Sequence, residues 1–123
     1  MTEHTTLTPS GVVADHLSAV NAFDEDAIVA TFASDALVND ARREFWGTDA
    51  IRRWVAKEMV GDHVTIEVID VCDHHGQTIV RGRYDGDFDR TNLPDELIMT
   101  NYFTIRDGKI DSLVIIRNVP ADY

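Results

Sequence analysis

The chain has 123 residues, which is the length of a single domain, and 44% of them are hydrophobic, too many for a disordered acidic protein. Eleven basic residues stand against 22 acidic ones, which gives a formal net charge of −11. This charge repels phosphate backbones and anionic lipids, so we expect neither nucleic acid nor a membrane surface as a partner.

The ends and the apolar windows of the chain suggest a location and a domain organisation. Residues 1–6 lack a basic region and an apolar run, and no window approaches the roughly 18 apolar residues of a membrane span. We therefore expect a cytoplasmic protein with one domain over residues 1–123. Its first half-dozen residues are mostly polar, and residues 1–7 are expected to form a disordered tail.

Cys72 is the single cysteine, which excludes an intramolecular disulfide and a multi-cysteine zinc site. His74 and His75 have no third ligand at a suitable spacing, so we expect no metal. The sequence also lacks a glycine-rich phosphate loop and a nucleophile elbow, so we expect no cofactor. Cys72 continues the apolar alternation of the strand before it and is interpreted as a small core residue.

Two helical patterns open the chain. Thr8 and Pro9 are typical of an N-cap and a first helical position. The apolar stripe of this first helix consists of Val13, Leu17, Val20 and Phe23. Acidic residues 24–26 favour the start of a second helix, whose apolar positions are Ile28 and Phe32.

A short strand and a third helix follow. Residues 36–39 are predicted to form a strand that ends at Asp40, and residues 41–45 are predicted to form a charged loop. Thr48 is the expected N-cap of the third helix. The apolar face of this helix consists of Ile51, Trp54 and Val55.

The second half of the chain carries strand patterns only. The predicted strands cover residues 64–72, 78–88, 97–105 and 110–117. Asp107-Gly108 is the strongest hairpin signal, because both residue types tolerate the positive φ of a tight turn. Helices followed by a run of antiparallel strands predict an α+β fold, with three N-terminal helices on one face of a curved antiparallel sheet.

Three motifs in this order resemble a known superfamily. Residues 24–40 read Asp-x-Asp-Ala-Ile-Val-x-x-Phe-Ala-x-Asp-Ala-Leu-Val-x-Asp, residues 46–54 read Trp-Gly-x-x-Ala-Ile-x-x-Trp, and residues 107–110 read Asp-Gly-Lys-Ile. The chain is similar over residues 9–118 to the nuclear transport factor 2-like superfamily, which includes ketosteroid isomerase, SnoaL-type polyketide cyclases and limonene epoxide hydrolase. The resemblance implies a cone-shaped cystatin-like roll around an apolar pocket, and a homodimer formed through the outer face of the sheet. It specifies function less well than fold, because the superfamily contains both enzymes and binding modules.

Asp40 and His16 are candidate catalytic residues. Asp40 has the strand parity of Ala36 and Val38, and the resemblance matches it to the catalytic base of ketosteroid isomerase. A carboxylate in an apolar pocket becomes more basic, as proton abstraction from carbon requires. The alternative is an aspartate that ends a strand and caps the next loop. His16 lies on the apolar face of the first helix, where the resemblance implies an oxyanion-stabilising group; the alternative is a satisfied core histidine.

Asn101 is the third candidate, because it interrupts the apolar face of its strand. It matches a protonated aspartate of ketosteroid isomerase and can also donate a hydrogen bond, or it can be a buried amide satisfied by backbone. Both oxyanion donors differ from that enzyme, which argues against steroid isomerisation itself. The candidate pocket-lining residues, which can equally be core, are Trp46, Trp54, Met99 and Phe103.

A second constellation is weaker. Arg83 and Asp85 match an Arg-x-Asp of limonene epoxide hydrolase, but Asn118 replaces the aspartate of the last strand. Their parity also places them opposite the apolar face, as in an exposed ion pair. Residues 42–44, which follow Asp40 directly, are predicted to lie at the pocket rim and to affect substrate access or loop order.

Two classes of function remain. The first is a cofactor-independent isomerase, cyclase or lyase acting on a small apolar carbonyl compound, with Asp40 moving a proton while His16 and Asn101 polarise the carbonyl. The second is a non-catalytic ligand-binding or dimerisation module. The first hypothesis predicts that all three side chains face one cavity, close enough for one small substrate to bridge.

Overall fold

The computed structural model of the protein describes residues 4–5 and 8–118. Three helices occupy the first half of this part of the chain: α1 (Gly11–Asn21), α2 (Glu25–Ala30) and α3 (Gly47–Trp54), which continues as a π-helical segment (Val55–Val60). The strands are β1 (His4–Thr5), β2 (Phe32–Asp40), β3 (Arg43–Trp46), β4 (Thr65–His74), β5 (Gln77–Asp85), β6 (Leu97–Arg106) and β7 (Lys109–Arg117). The predicted α+β class is confirmed.

The strands form one sheet in the order β1-β4-β5-β6-β7-β2-β3. All described neighbours are antiparallel except β2 and β7, which run parallel. The sheet is therefore mixed, whereas an antiparallel sheet was expected. The reason is that β2 pairs with the free edge of β7, the second strand of the β6–β7 hairpin, and runs in the same direction as β7. This parallel pair brings the carboxyl ends of β2 and β7 to the same end of the sheet.

The helices cover one face of the sheet and enclose the core. Its largest fully buried side chains include Trp54, Phe103, Ile28, Ile51, Ile110 and Leu113. Each side chain of this size contributes roughly 1.5–3 kcal/mol through removal from water. Asn21 fixes the end of α1 to β4, because its side chain donates to the Ile66 carbonyl at 3.0 Å and accepts from the Ile66 amide at 2.7 Å.

The helix boundaries differ from prediction where backbone pairing intervenes. α1 begins at Gly11 after Ser10, so Thr8 is not its N-cap, and Phe23 lies beyond its end with φ +56°. The second helix opens at the acidic residues 24–26 as expected, and Asp24 is its N-cap, with a side chain that accepts from the Ala27 amide at 3.1 Å. Phe32 belongs to β2, because it pairs with Ile110 of β7.

The chain around β3 also differs from prediction. Residues 43–46 form a strand that pairs with β2, where a loop was predicted. Trp46 is the N-cap residue of α3, and the Thr48 hydroxyl instead donates to the Ser34 carbonyl at 3.5 Å.

A bulge in β4 overturns one further expectation. The register with β5 shifts between Val68 and Asp70, which reverses the strand parity beyond that point. As a result Val71 is buried, whereas Cys72 is half-buried, so the core position predicted for Cys72 is wrong. The hairpin at Asp107 and Gly108 is confirmed, since both residues have positive φ.

Two expectations concern the chain ends and membranes. Within the predicted tail, His4 and Thr5 pair with Cys72 and Val71, and its other residues lie outside the described part. No helix in the described ranges is long and apolar enough to cross a membrane.

Candidate functional site

A cavity of about 760 Å³ opens between the inner face of the sheet and the segment that follows α3. This volume lies within the roughly 300–1,000 Å³ typical of small-molecule sites. Its walls are mostly apolar and include Met59, Val64, Tyr84, Phe88, Leu93, Leu97, Met99 and Ile115. Its polar lining residues are Asn39, Asp40, Arg42, Glu58, Asp62 and Arg117.

Asp40 faces this cavity from the end of β2. Ala36 and Val38 are fully buried on the inner face of the strand, and Asp40 continues that face by two residues. Its side chain is 16% exposed and lines the cavity. The parity argument from the sequence therefore places Asp40 correctly.

Two donors hold one oxygen of the Asp40 carboxylate. The Trp54 indole donates to Oδ2 at 3.1 Å, and the Arg43 guanidinium donates to the same atom at 3.2 Å. Arg43 is itself held by two bonds to Glu58, at 2.7 and 2.8 Å. Among the described residues no hydrogen bond reaches Oδ1, so this oxygen is available to a ligand.

The surroundings of Asp40 make it a stronger base than an exposed aspartate. Burial raises the pKa of its carboxyl, the Trp54 hydrogen bond and the Arg43 charge lower it, and the Glu58 charge raises it further. The net result is a raised pKa, because desolvation of the charged form is the largest contribution.

The π-helical segment forms part of the cavity wall near Asp40. The Gly61 amide donates to the Ala56 carbonyl at 2.9 Å, five residues back, and the Val64 amide reaches Met59 in the same way. Such widened turns are frequent at functional sites. Here the widened turn accompanies two cavity-lining residues, Glu58 and Met59.

Tyr84 is the functional candidate that sequence reasoning missed, because its even spacing from Val80 and Phe88 marks it only as an apolar position of its strand. It lines the cavity, and its hydroxyl donates to Oδ1 of Asn101. Burial, and next the negative charge of Asp40, raise the pKa of the Tyr84 phenol, so the phenol stays neutral near the carboxylate. Its period-two spacing from Val80 was the signal for an inward side chain, but not for its hydroxyl partner.

Asn101 lies behind Tyr84 and does not line the cavity. It is 1% exposed, and its Nδ2 donates to the Val80 carbonyl at 3.2 Å. Ile115 pairs with both Asp40 and Asn101, so these two backbones are about 10 Å apart, two strand spacings. The amide is thus satisfied by backbone and by Tyr84.

His16 is also buried away from the cavity lining. Thr31 donates its single hydroxyl proton to the Ile28 carbonyl at 2.6 Å, so it accepts from Nδ1 of His16 at 3.1 Å. The rings of Phe32 and Phe103 contact the imidazole edge-on, with centroids 5.4 and 5.5 Å away. Burial lowers the pKa of His16 to about 4, so the ring is neutral. The expectation that three polar groups face one cavity therefore holds for Asp40 alone.

The predicted aromatic lining is largely corrected. Met99 lines the cavity, but Trp54 lies behind Asp40 and Phe103 packs on His16. Trp46 is 62% exposed, and its indole donates to Glu44 at 3.1 Å. Besides the strands, the β5–β6 loop contributes Phe88 and Leu93 to the apolar walls, and the π-helical segment contributes Met59.

The weaker constellation lies outside the site, as its parity indicated. Arg83 pairs with Glu67 and Glu96, and Asp85 pairs with Arg90, all of them exposed. Across residues 4–5 and 8–118, no group of three or more His, Cys, Asp or Glu side chains is arranged to hold a metal ion.

The rim residues divide into three different environments. Arg42 lines the cavity, Arg43 bridges Asp40 and Glu58, and Glu44 accepts from Trp46. The rim prediction therefore holds for Arg42 directly, whereas Arg43 belongs to the network that holds the carboxylate.

Known proteins with similar sequence or fold agree with this architecture. A family model described as SnoaL-like domain matches residues 13–113. A protein from Sinorhizobium meliloti called a "putative polyketide cyclase" is 30% identical, with a TM-score of 0.75 over 85% of this chain and 92% of that one. No curated protein sequence matches the chain.

Two more distant structures support the fold alone. A protein from Catenulispora acidiphila with a ketosteroid isomerase-like fold, solved in complex with trimethylamine, is 18% identical, with a TM-score of 0.74 over 89% of this chain and 85% of that one. TerC, co-crystallised with polyporic acid, is 13% identical, with a TM-score of 0.73 over 87% of this chain and 88% of that one.

Proposed function

Since the chain belongs to the SnoaL-like domain family, we propose that it is an acid–base enzyme acting on a small, largely apolar carbonyl compound, with Asp40 as the group that moves the proton. The reaction class is an isomerisation, a cyclisation or a related lyase reaction. The 30% identical relative called a "putative polyketide cyclase" supports this class.

The proposed step begins at Oδ1 of Asp40. This oxygen takes a proton from a carbon next to the substrate carbonyl, and the electron pair of that C–H bond moves to the carbonyl oxygen as an enolate. In an isomerisation the same carboxyl returns the proton to another carbon. In a cyclisation the enolate carbon attacks a second carbonyl, and the carboxyl gives its proton to the alkoxide that forms.

Tyr84 is the proposed partner for the enolate oxygen. The phenol of Tyr84 lines the cavity and is neutral, because burial and the negative charge of Asp40 raise its pKa. Turning the hydroxyl proton from Asn101 to the substrate oxygen places a donor where negative charge develops. Trp54 and Arg43 act through Asp40, because they fix Oδ2 and so orient Oδ1.

One observation carries this proposal: a half-buried carboxylate with a raised pKa, one oxygen fixed by two donors, lies on the wall of an apolar cavity. A carboxylate that only ended a strand would be solvated, with its pKa in the ordinary range. Perturbed carboxylates in clefts are typical of catalytic bases.

Hydrogen exchange at carbon tests the proton-transfer step without knowledge of the natural substrate. The α-hydrogens of 2-tetralone, a small apolar ketone, are followed by proton NMR in D₂O with the wild type and with Asp40→Asn. We expect the wild type to accelerate exchange, and Asp40→Asn to lower the enzymatic rate by about 10²–10⁴-fold. Asp62→Asn, which changes another cavity-lining carboxylate, is the matched control and should retain most of the rate. Equal rates for the wild type and Asp40→Asn would show that Asp40 is not the base.

A non-catalytic ligand-binding module is the second candidate. It is favoured by the hydrogen bonds of His16 and Asn101, which satisfy both groups within the protein. This candidate predicts that 2-tetralone binds to the wild type and Asp40→Asn alike, and that neither accelerates exchange.

A further inference from the structure

Two arginines that follow neighbouring strands line the same cavity. Asp40 of β2 pairs with Ile115 of β7 in parallel register, and two residues further along each chain come Arg42 and Arg117. Neighbouring strands lie about 4.8 Å apart, so Arg117 and the turn that carries Arg42 lie at the same end of the sheet. Both arginines line the cavity. This end of the cavity therefore carries two positive charges.

These two cations have no carboxylate partner among the described residues. Arg43, Arg52, Arg81, Arg83, Arg90 and Arg106 each form an ion pair. Acidic residues outnumber basic ones by 22 to 11 in this chain, so pairing is the usual state of its arginines. An anion that enters this end of the cavity can accept charge-assisted hydrogen bonds from these two guanidinium groups.

The backbone that carries Arg42 is strained. Ala41 and Arg42 both have positive φ, +54° and +66°, in the turn directly after Asp40. This conformation costs a residue with a side chain roughly 1–2 kcal/mol, and hairpin turns of this kind usually contain Asn or Gly. Strain of this type clusters at ligand sites, where it holds a side chain in a required place.

The other residues that line the cavity indicate the chemistry of the rest of the ligand. Arg117 pairs with Met99 of β6, and the wall continues over Leu97 to Phe88 of the β5–β6 loop. Glu58, which also lines the cavity, is bound by Arg43. The cavity thus combines an apolar wall with a cationic end.

We propose that the ligand of this cavity is an amphiphilic anion, whose carboxylate, enolate or sulfonate-like group is bound by Arg42 and Arg117 while its apolar body covers the Met99 wall. This inference rests on the proposed function, because that function places the reacting carbon beside Asp40. It narrows the substrate class from any apolar carbonyl compound to one that also carries a negative charge.

Two fluorescent probes that differ in one charged group test the inference. 1-Anilinonaphthalene-8-sulfonate carries a sulfonate, and N-phenyl-1-naphthylamine is the same aromatic body without it. We expect the anionic probe to bind the wild type more tightly than the neutral one, and its affinity to fall as salt is added. Arg117→Gln and Arg42→Asn should each lower the affinity for the anionic probe by about 3- to 10-fold. The affinity for the neutral probe should not change. Asn is chosen at position 42 because it tolerates positive φ.

Arg53→Gln is the matched control, because Arg53 is an exposed cation of α3 outside the cavity lining. The inference is overturned if the two probes bind equally, if neither binds, or if Arg53→Gln weakens the anionic probe as much as Arg117→Gln. Asp40→Asn separates the two proposals. If the two probes bind equally but hydrogen exchange still depends on Asp40, only the inference is refuted. If the anionic probe binds more tightly but exchange does not depend on Asp40, only the proposed reaction is refuted.

Discussion

The buried imidazole of His16 predicts how the stability of the fold depends on pH. In the folded protein burial lowers the pKa of His16 to about 4, whereas in the unfolded chain it has the ordinary value of 6.5. Between these values the unfolded state binds a proton at this residue and the folded state does not. Protons therefore favour unfolding, and the free energy of unfolding falls as the pH is lowered.

The size of this effect follows from the two pKa values. One pKa unit corresponds to about 1.4 kcal/mol, and most of the loss develops below pH 6.5. Between pH 7 and pH 5 the His16 contribution amounts to about 2 kcal/mol. It approaches about 3 kcal/mol near pH 4, where the folded protein begins to bind the proton.

Urea unfolding of the wild type and of His16→Gln at pH 7 and pH 5 isolates this contribution, because all other titrating groups cancel in the difference. Between pH 7 and pH 5 the free energy of unfolding of the wild type should fall by about 2 kcal/mol more than that of the variant. His63→Gln, which removes an exposed histidine and keeps His16, is the matched control and should retain the loss of stability attributed to His16. An NMR titration in which the His16 ring of the folded wild type gains a proton near pH 6.5 would refute the reasoning, as would equal losses for the wild type and His16→Gln.

Two further changes test the carboxylate network and its neighbour. Trp54→Phe removes a hydrogen bond to the charged form of Asp40, so the pKa of Asp40 should rise further in a carbon-13 NMR titration, whereas Trp46→Phe should not change it. An unchanged Asp40 pKa in Trp54→Phe would contradict the assigned bond. Tyr84→Phe leaves the buried Oδ1 of Asn101 without its donor and should lower the free energy of unfolding by about 1–3 kcal/mol in urea. A variant as stable as the wild type would show that Asn101 does not depend on this hydroxyl.

The fold was predictable where local pattern and tertiary pairing agree. The alternating residues of β6 and the Asp107-Gly108 turn depend on backbone preferences that a short sequence window contains. Asp24 caps α2 for the same reason, since its acceptor geometry involves only the next three residues.

Predictions failed where a distant partner determines the conformation. Phe32 has helical spacing from Ile28, but its pairing with Ile110 draws it into β2. The bulge after Val68 is a property of the β4–β5 register, and it reverses the side of the sheet on which Cys72 lies. Neither pairing can be deduced from the residues adjacent to it in the sequence.

The candidate site was only half predictable, because two coordinates determine whether an inward side chain reaches the cavity. Parity gives the first coordinate, the face of the sheet, and it was correct for Asp40 and Asn101. The second coordinate is the position along the strand relative to the open end of the roll. Asp40 and Arg117 end parallel strands and line the cavity there, whereas Phe103 lies deeper on the same inner face and packs in the core.

This second coordinate depends on strand order and direction. Because β2 and β7 are parallel, their carboxyl ends coincide with the amino end of β6, and Leu97 and Met99 therefore line the cavity. Asn101 is level with Asp40 through Ile115, but Tyr84, whose hydroxyl donates to it, lines the cavity in its place. Once the order of the strands is known, the same rule selects Tyr84 near the end of β5 as the inward residue at the cavity. A sequence in which Asp40 remained inward but β2 paired antiparallel to β7 would place the carboxylate beside the opposite end of that strand, away from Arg117.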